Sequence, residues 1–446
     1  MFGARIIGAG MTTEGLELVT NDEIARRLLE KEAAITEWLV SDDATSWWKH
    51  EFARGDSEWW RPNIALGLLA KYGKPFEKRY NRACDFANRN DRLLIWNEFM
   101  REIIVTNDAW IRENTGIEQR YFAKKGVATS DLAIEAARKA LKSANVSPDQ
   151  IDGLFLATVS PDHNQTPPTT AIIADALGLG GDAGGLRNFD YLDGSQACSS
   201  SIMAIRRGYH AIATGSCDCV LVGGADTMST TDSHFSRNIL PILGDGSGFI
   251  VLKSGPVADS AFRPPNFFST LIGRLKHLII TPAGGSRLAT SPSMIQNPFD
   301  QSNLMFMNGP EVRRKVIRLL VPSKFSEWAN TLIPSAFTHA GYEMENESDF
   351  SNALLSVDLM LFHQANGVIL DDLEERLRNY GYRGQFFRNI NRHGNTTSAS
   401  IFLLFIEAWQ QGILRPGMKV MAVVFGGGFT AATIIFDWTL ENPSED

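Results

Sequence analysis

Cysteine is scarce: Cys84, Cys198, Cys217 and Cys219 are the whole complement of a 446-residue chain. So placed, they form neither a disulfide framework nor the paired C-x-x-C spacing of a zinc site, which points to a reducing cytosol and to no metal. Cys217 and Cys219 flank one residue at an expected strand start, so their side chains share a face; that spacing alone is weak support for metal or redox work. Basic residues are outnumbered, 43 Lys and Arg against 51 Asp and Glu, for a formal net charge of −8. A nucleic-acid binder carries the opposite balance. No apolar run approaches a membrane span. The opening Met1-Phe-Gly-Ala-Arg-Ile-Ile-Gly-Ala-Gly is too short and glycine-broken for a signal peptide, so the cytoplasm is the expected location. What is present, 44% apolar and 21% charged residues, is the composition of an ordinary globular protein with length for two or three domains.

One turn stands out. Gly194-Ser-Gln-Ala-Cys-Ser-Ser200 lies between a short run of strand character, Asn188-Phe-Asp-Tyr-Leu192, and a segment in which Ile202, Ile205, Tyr209 and Ile212 recur at helical spacing before Gly215. Cys198 thus sits on a small-residue turn where a strand runs into a helix. The positive end of the helix dipole and nearby backbone N–H groups should favour its thiolate, and small neighbours leave room for a substrate carbonyl. A small buried apolar cysteine is the plainer alternative, and the turn by itself weighs the two evenly.

In order along the chain, Arg5-Ile-Ile-Gly-Ala-Gly10 reads as a first strand, and Asn21 as the cap of a helix. Residues 31–104 then hold six of the ten tryptophans and read as a mostly helical insertion. From Val105 the pattern is regular α/β: an amphipathic helix from Ser130, a strand from Ile151 leading to His163, a helix with Pro168 in its first turn, and a strand Cys219-Val-Leu-Val-Gly-Gly-Ala-Asp226. Residues 255–305 read as loops and short strands. The second half then repeats the first. Ser356-Val-Asp-Leu-Met-Leu-Phe-His363 echoes the strand from Gln150, and Thr397–Gly412 echoes the helix after Cys198. Each of these helices precedes a strand ending in glycines, Val222-Gly-Gly and Val424-Phe-Gly-Gly-Gly428. The expected domains are 1–254, interrupted by the insertion, and 255–446. Two such halves turn strand ends and helix starts towards one cleft, bringing Cys198 together with His363 and Asn395.

Five ordered motifs carry a resemblance: Trp110 within Asn107–Arg120, the Cys198 turn, Gly244-Asp-Gly-Ser-Gly, His363-Gln-Ala-Asn366 with His393-Gly-Asn-Thr-Thr-Ser, and Phe425-Gly-Gly-Gly-Phe. The chain resembles the β-ketoacyl-acyl-carrier-protein synthase III family. This implies the thiolase fold: two similar α/β halves in a layered α-β-α-β-α arrangement, here with the insertion added. It also implies a reaction. Cys198 takes an acyl group from a CoA or carrier-protein thioester, with the backbone N–H groups of Cys198 and Gly427 as oxyanion hole. His363 and Asn395 then stabilise the enolate left when a malonyl-type thioester loses carbon dioxide, and the carbanion attacks the acyl-cysteine. Trp110, Asn366 and Phe425 are the implied substrate contacts, with Trp110 matching a tryptophan that stacks on adenine. No cofactor is implied beyond the CoA or phosphopantetheine arm of the substrates. The implied partners are acyl-CoA or an acyl carrier protein, a malonyl-type carrier protein and a second copy in a homodimer. His163 and His393 are left as structural.

The chain departs from the family in places. Asn114 stands where an arginine that helps to bind CoA is usual, which favours a carrier-protein donor. The helix after His-Gln-Ala-Asn begins with acidic Asp371-Asp-Leu-Glu-Glu, so Arg313, Arg314 and Lys315 are the expected docking patch; a solvated helix face is the equal alternative. The insertion suggests a specialised lipid or polyketide enzyme. An acyltransferase on the same fold need not keep Asn395, and a head-to-head condensation of two acyl chains is the nearest rival. A non-enzymatic partner subunit typically loses the cysteine. A biosynthetic thiolase needs a second reactive cysteine, and none follows Cys219.

Overall fold

The computed structural model describes residues 2–39, 105–181, 185–230, 237–262, 266–290 and 305–442. Strands β1 (Gly3–Met11) and β2 (Leu16–Thr20) lead into helix α1 (Asn21–Leu39). Asn21, the expected cap, has other work. It is buried, its Nδ2 donates to Asp108 Oδ1 and the Ile117 carbonyl at 2.8 Å each, and its Oδ1 accepts from Arg120. Thr20 Oγ1 accepts the Glu23 amide instead, at 3.3 Å. Helix α1 runs unbroken past residue 31, where the insertion was expected to begin. Residues 40–104, with Cys84 and the tryptophans from Trp47 to Trp96, lie outside the described residues.

The first half continues with α2 (Asp108–Thr115), β3 (Gln119–Ala123), α3 (Thr129–Ala144), β4 (Gly153–Ala157), α4 (Thr169–Leu177), β5 (Asp190–Gly194), α5 (Ser200–Ala213), β6 (Cys219–Asp226) and β7 (Gly246–Gly255). Pro168 takes the cap position of α4 rather than its first turn, and its ring offers no acceptor. Asp193 of β5 supplies one: the Thr169 and Thr170 amides donate to its carboxylate at 2.6 and 3.0 Å. The second half holds β8 (Phe267–Leu271), β9 (Ile279–Ile280), β10 (Phe306–Met307), α6 (Gly309–Leu320), α7 (Leu332–His339), α8 (Glu347–Leu355), β11 (Leu359–Phe362), α9 (Gly367–Asn379), β12 (Gln385–Phe386), α10 (Ile390–His393), α11 (Ser400–Gln410), β13 (Lys419–Gly426) and β14 (Thr430–Asp437).

Ten of the fourteen described strands pair into two five-stranded sheets with one topology, and β2-β3 and β9-β10 form two small ribbons. The first has the order β5-β4-β6-β7-β1 and the second β12-β11-β13-β14-β8. In each, the first three strands are parallel and the last two antiparallel. The repeat in the sequence is therefore a repeat in space, with β5-α5-β6 matched by β12-α11-β13. Helices α5 and α11 form the middle layer. Residues Ile401 to Ile406 of α11 are all at most 2% exposed, because this helix meets β1, β6 and β7 on one side and β11 on the other. A helix apolar all round is buried on all sides, and each such side chain stabilises by roughly 1.5–3 kcal/mol. Helices α3 and α4 cover the outer face of the first sheet, and α6 to α9 that of the second. The layers thus run α-β-α-β-α, with the starts of α5 and α11 meeting at the centre of the molecule.

Candidate active site

Cys198 sits where β5 turns into α5. Ser200 Oγ ties the turn, donating to the Ala197 carbonyl and accepting the Gln196 amide, each at 2.6 Å. Ser199 Oγ reaches across to Thr430 Oγ1 at 2.7 Å. Ala197 has φ 52°, a left-handed backbone that an L-residue adopts at a cost of about 1–2 kcal/mol. Cys198 is partly exposed. The structure overturns the expectation of a ready thiolate. Burial of the sulfur, then the nearby Asp226 carboxylate, push the thiol up to about 12, and the residue's own amide only partly offsets them. Desolvation and a like charge work against the helix start.

His363 follows β11, its amide donating to the Val423 carbonyl at 2.8 Å. Its ring is buried and packs edge-to-face on Phe425, with centroids 5.5 Å apart. Burial pulls the imidazole down to about 3, so the ring is neutral at ordinary pH. Its Nδ1 is buried without a partner among the described residues. Asn395 lies between α10 and α11. Its amide donates to the Ile242 carbonyl at 2.7 Å, and its carbonyl accepts from Gly244 at 3.0 Å, so the Gly-Asp-Gly segment of the first half is the shelf that holds it. The Thr397 amide donates to Asn395 Oδ1 at 2.9 Å. This fixes the carboxamide and leaves Nδ2 a donor without a partner among the described residues.

Two glycines bring the halves into contact. A Cβ built on Gly426, at the end of β13, would lie 2.7 Å from the Cys198 nitrogen, and one on Gly224, in β6, 2.5 Å from the Ser398 carbonyl. Only hydrogen fits at either place. Gly427 backs onto Ala197, where a Cβ would come within 3.3 Å of the alanine's own.

The remaining sequence-expected residues are placed as follows. Trp110 is on α2, with the Arg237 guanidinium 4.7 Å from the centre of its ring. Asn366 caps α9 through Oδ1, which accepts the Val368 amide at 2.9 Å, and its Nδ2 donates to the Asn114 carbonyl at 3.0 Å. Phe425 is buried against His363. On α6, Arg313 pairs with Asp372 of the acidic helix α9 at 2.7 Å, while Arg314 and Lys315 share Glu311, at 2.6 and 3.8 Å. His393 rests on Tyr121, centroids 5.4 Å apart, and faces Glu407 at 3.5 Å. Cys217 and Cys219 are buried, and burial pushes both thiols up to about 11.

Two residues escaped the sequence reading. Gln364 is buried; its Oε1 accepts the Asn389 and Ile390 amides, each at 3.0 Å, and its Nε2 donates to the Phe362 carbonyl at 2.7 Å. It locks the His363 strand to the segment that leads to Asn395, and a glutamine between two motif residues gave it a visible signal. Asp226 ends β6, fully buried between the halves. Its only signal was a carboxylate closing an apolar strand. The assembled chemistry is a thiol at a helix start with neutral imidazole and carboxamide donors across a glycine-lined junction, a set suited to thioester exchange and to stabilising an enolate.

Comparison with known proteins bears on this geometry. Residues 353–438 match the family described as 3-oxoacyl-[acyl-carrier-protein (ACP)] synthase III C terminal, and residues 112–247 match the thiolase N-terminal domain. β-Ketoacyl-[acyl-carrier-protein] synthase III 5 of Streptomyces coelicolor is 35% identical over 346 residues, covering 77% of this chain and 93% of the relative. The corresponding enzyme of Symbiobacterium thermophilum is 33% identical over 349 residues, again 77% of this chain and 94% of the relative. Among solved structures, 3-oxoacyl-(acyl carrier protein) synthase III from Pseudomonas aeruginosa superposes with a TM-score of 0.66 at 22% identity, covering 99% of this chain and all of that one. The priming β-ketosynthase of the R1128 polyketide pathway gives 0.67 at 19%, covering 99% and 97%. These superpositions establish the thiolase fold. The near-complete coverage of relatives that share a third of the aligned residues establishes that the chain belongs to the β-ketoacyl-[acyl-carrier-protein] synthase III family of condensing enzymes.

Proposed function

We propose that the protein forms a carbon–carbon bond in two half-reactions at Cys198. In the first, the sulfur attacks the carbonyl of an acyl thioester. The tetrahedral oxyanion is held by the N–H groups of Cys198 and Gly427, and the departing pantetheine sulfur carries away the proton of the Cys198 thiol. In the second, a malonyl-type thioester breaks its bond to the carboxylate and releases carbon dioxide. The electron pair becomes an enolate whose oxygen takes hydrogen bonds from His363 Nε2 and Asn395 Nδ2. The enolate carbon attacks the acyl-cysteine, and the Cys198 thiolate leaves and regains a proton. The chain needs no cofactor of its own on this reading, because the pantetheine arm belongs to the substrates.

The observation that carries the reading is the burial of His363, whose ring packs on Phe425 away from water; such a setting favours the neutral imidazole as a donor over the imidazolium. Asn395, with Oδ1 already occupied, offers the second donor. A plain acyltransferase has no use for that amide, which favours decarboxylative condensation. Trp110, Asn366 and Phe425 line the approach on this account. The partner that presents the substrate is an acidic carrier protein. In its favour, exposed Arg274, Lys276 and His277 on the turn Gly273–Leu278 adjoin α6, where Arg313, Arg314 and Lys315 pair with Glu311 and Asp372. That basic face stands out on a chain of net charge −8. The test is intact-mass analysis after incubation with acyl-CoAs and acyl carrier proteins. Cys198→Ala should abolish the acyl adduct, and a mutant that still gains acyl mass refutes the assignment.

A further inference from the structure

Asp226 is wholly buried, and its carboxylate accepts seven hydrogen bonds. They divide by origin. Oδ1 serves the first half: the Thr158 hydroxyl, the Val159 amide, and both the amide and hydroxyl of Ser160, at 2.8–3.2 Å. Oδ2 serves the second half: the Thr397 hydroxyl, the Ser398 amide at 2.8 Å and the Ser398 hydroxyl at 2.6 Å. Burying a charge so deeply is expensive unless its lone pairs are filled, and here they are. One of the loop residues it holds, Thr397, is strained. Thr397 has φ 45°, a left-handed backbone unusual for a β-branched residue. Such a conformation persists only where its surroundings over-determine it. The Thr397 amide is also the group that fixes the Asn395 carboxamide.

We propose that Asp226 is a positioning residue that sets the second half-reaction, holding Thr397 in its strained backbone and through it aiming the Asn395 amide from across the boundary between the halves. The proposal rests on the decarboxylative reading above. The burial that lifts the Asp226 carboxyl above its usual range is opposed first by Ser398 and Thr397, the same loop-side donors.

Substitution by asparagine separates the two sides. Val159 and Ser160 present amides that can only donate, so the oxygen of the new carboxamide stays with them and its NH2 turns to the loop. There it meets the Ser398 amide, donor against donor, and the loop is released while the first half keeps its bonds. Asp226→Asn should therefore lower kcat for decarboxylation of a malonyl thioester by about tenfold or more. KM should change little, and acyl loading on Cys198 should not fall, since the substitution also removes a negative charge beside the thiol. Hydrogen exchange of the peptide spanning residues 395–402 should quicken, with the Cys198 peptide unchanged. Thr397→Val, which removes one loop-side donor at nearly constant shape, should show the same pattern more weakly and serves if Asp226→Asn does not fold. Equal loss of both half-reactions, or unaltered decarboxylation in Thr397→Val, overturns the proposal. If the wild type releases no carbon dioxide, the decarboxylative reading falls instead, and the exchange of the 395–402 amides still decides whether Asp226 holds the loop.

Discussion

Cys198 and His363 are displaced from their usual titrations in opposite directions, and burial is the first cause of both. The resting pair is a neutral thiol and a neutral imidazole, each the uncharged form that a dry site favours. Two pH profiles follow. Below its pKa a thiol's thiolate fraction grows about tenfold per pH unit. Alkylation of Cys198 by iodoacetamide should thus keep rising about tenfold per unit from pH 7 to pH 10; a rise that bends over near pH 9 means an unshifted thiol. For His363 the sign runs the other way. Its active form is the neutral one, which a depressed pKa preserves as pH falls. Release of carbon dioxide from a malonyl thioester by Cys198→Ala protein should show no limb near pH 6.5 and should hold down to about pH 5. A loss centred on 6.5 would place His363 in water. Replacing His363 or Asn395 by alanine should slow this step by on the order of a hundredfold, as loss of an oxyanion donor does.

The elements place these groups through close approaches of backbone. Gly426→Ala puts a methyl against the Cys198 nitrogen and should slow acyl loading at least tenfold while leaving most of the melting temperature intact. Phe402→Ala, in the buried first turn of α11, should do the reverse: destabilise by about 3–5 kcal/mol in denaturant unfolding while native protein keeps its chemistry. Both helices of the middle layer were legible in the sequence, since α5 shows helical spacing and α11 an unbroken apolar run bounded by Gly412. The placement of Cys198, His363 and Asn395 at strand ends or helix starts was legible for the same reason. What was not legible depends on partners far away in the chain. Asn21 looks like a cap until Arg120 and Asp108 are folded around it. The Cys198 thiol looks activated until Asp226 and the covering second half are in place. Local sequence carries dipoles and spacing; it does not carry desolvation.

At the scale of the molecule, the first sheet ends at β5, where Tyr191 and Leu192 are exposed on an edge that no strand pairs among the described residues. Such an edge is a template for another strand. We propose a second copy as its occupant, so sedimentation should give about twice the 49.3 kDa chain mass. Tyr191→Asp with Leu192→Asp should return it to one. Relatives covered almost end to end match only 77% of this chain, so a substantial part of it is additional to what they share. Among the described residues no helix is long and apolar enough to cross a membrane.

The measurement that bears most directly on the division of labour between the two halves is a paired intact-mass experiment on the wild type, Cys198→Ala and Asn395→Ala. Each is loaded with a short acyl thioester and then given a malonyl thioester. The account predicts an acyl adduct on wild type and on Asn395→Ala, discharged to β-ketoacyl product by wild type alone, and no adduct on Cys198→Ala. Discharge by Asn395→Ala at the wild-type rate, or an acyl adduct on Cys198→Ala, would contradict it.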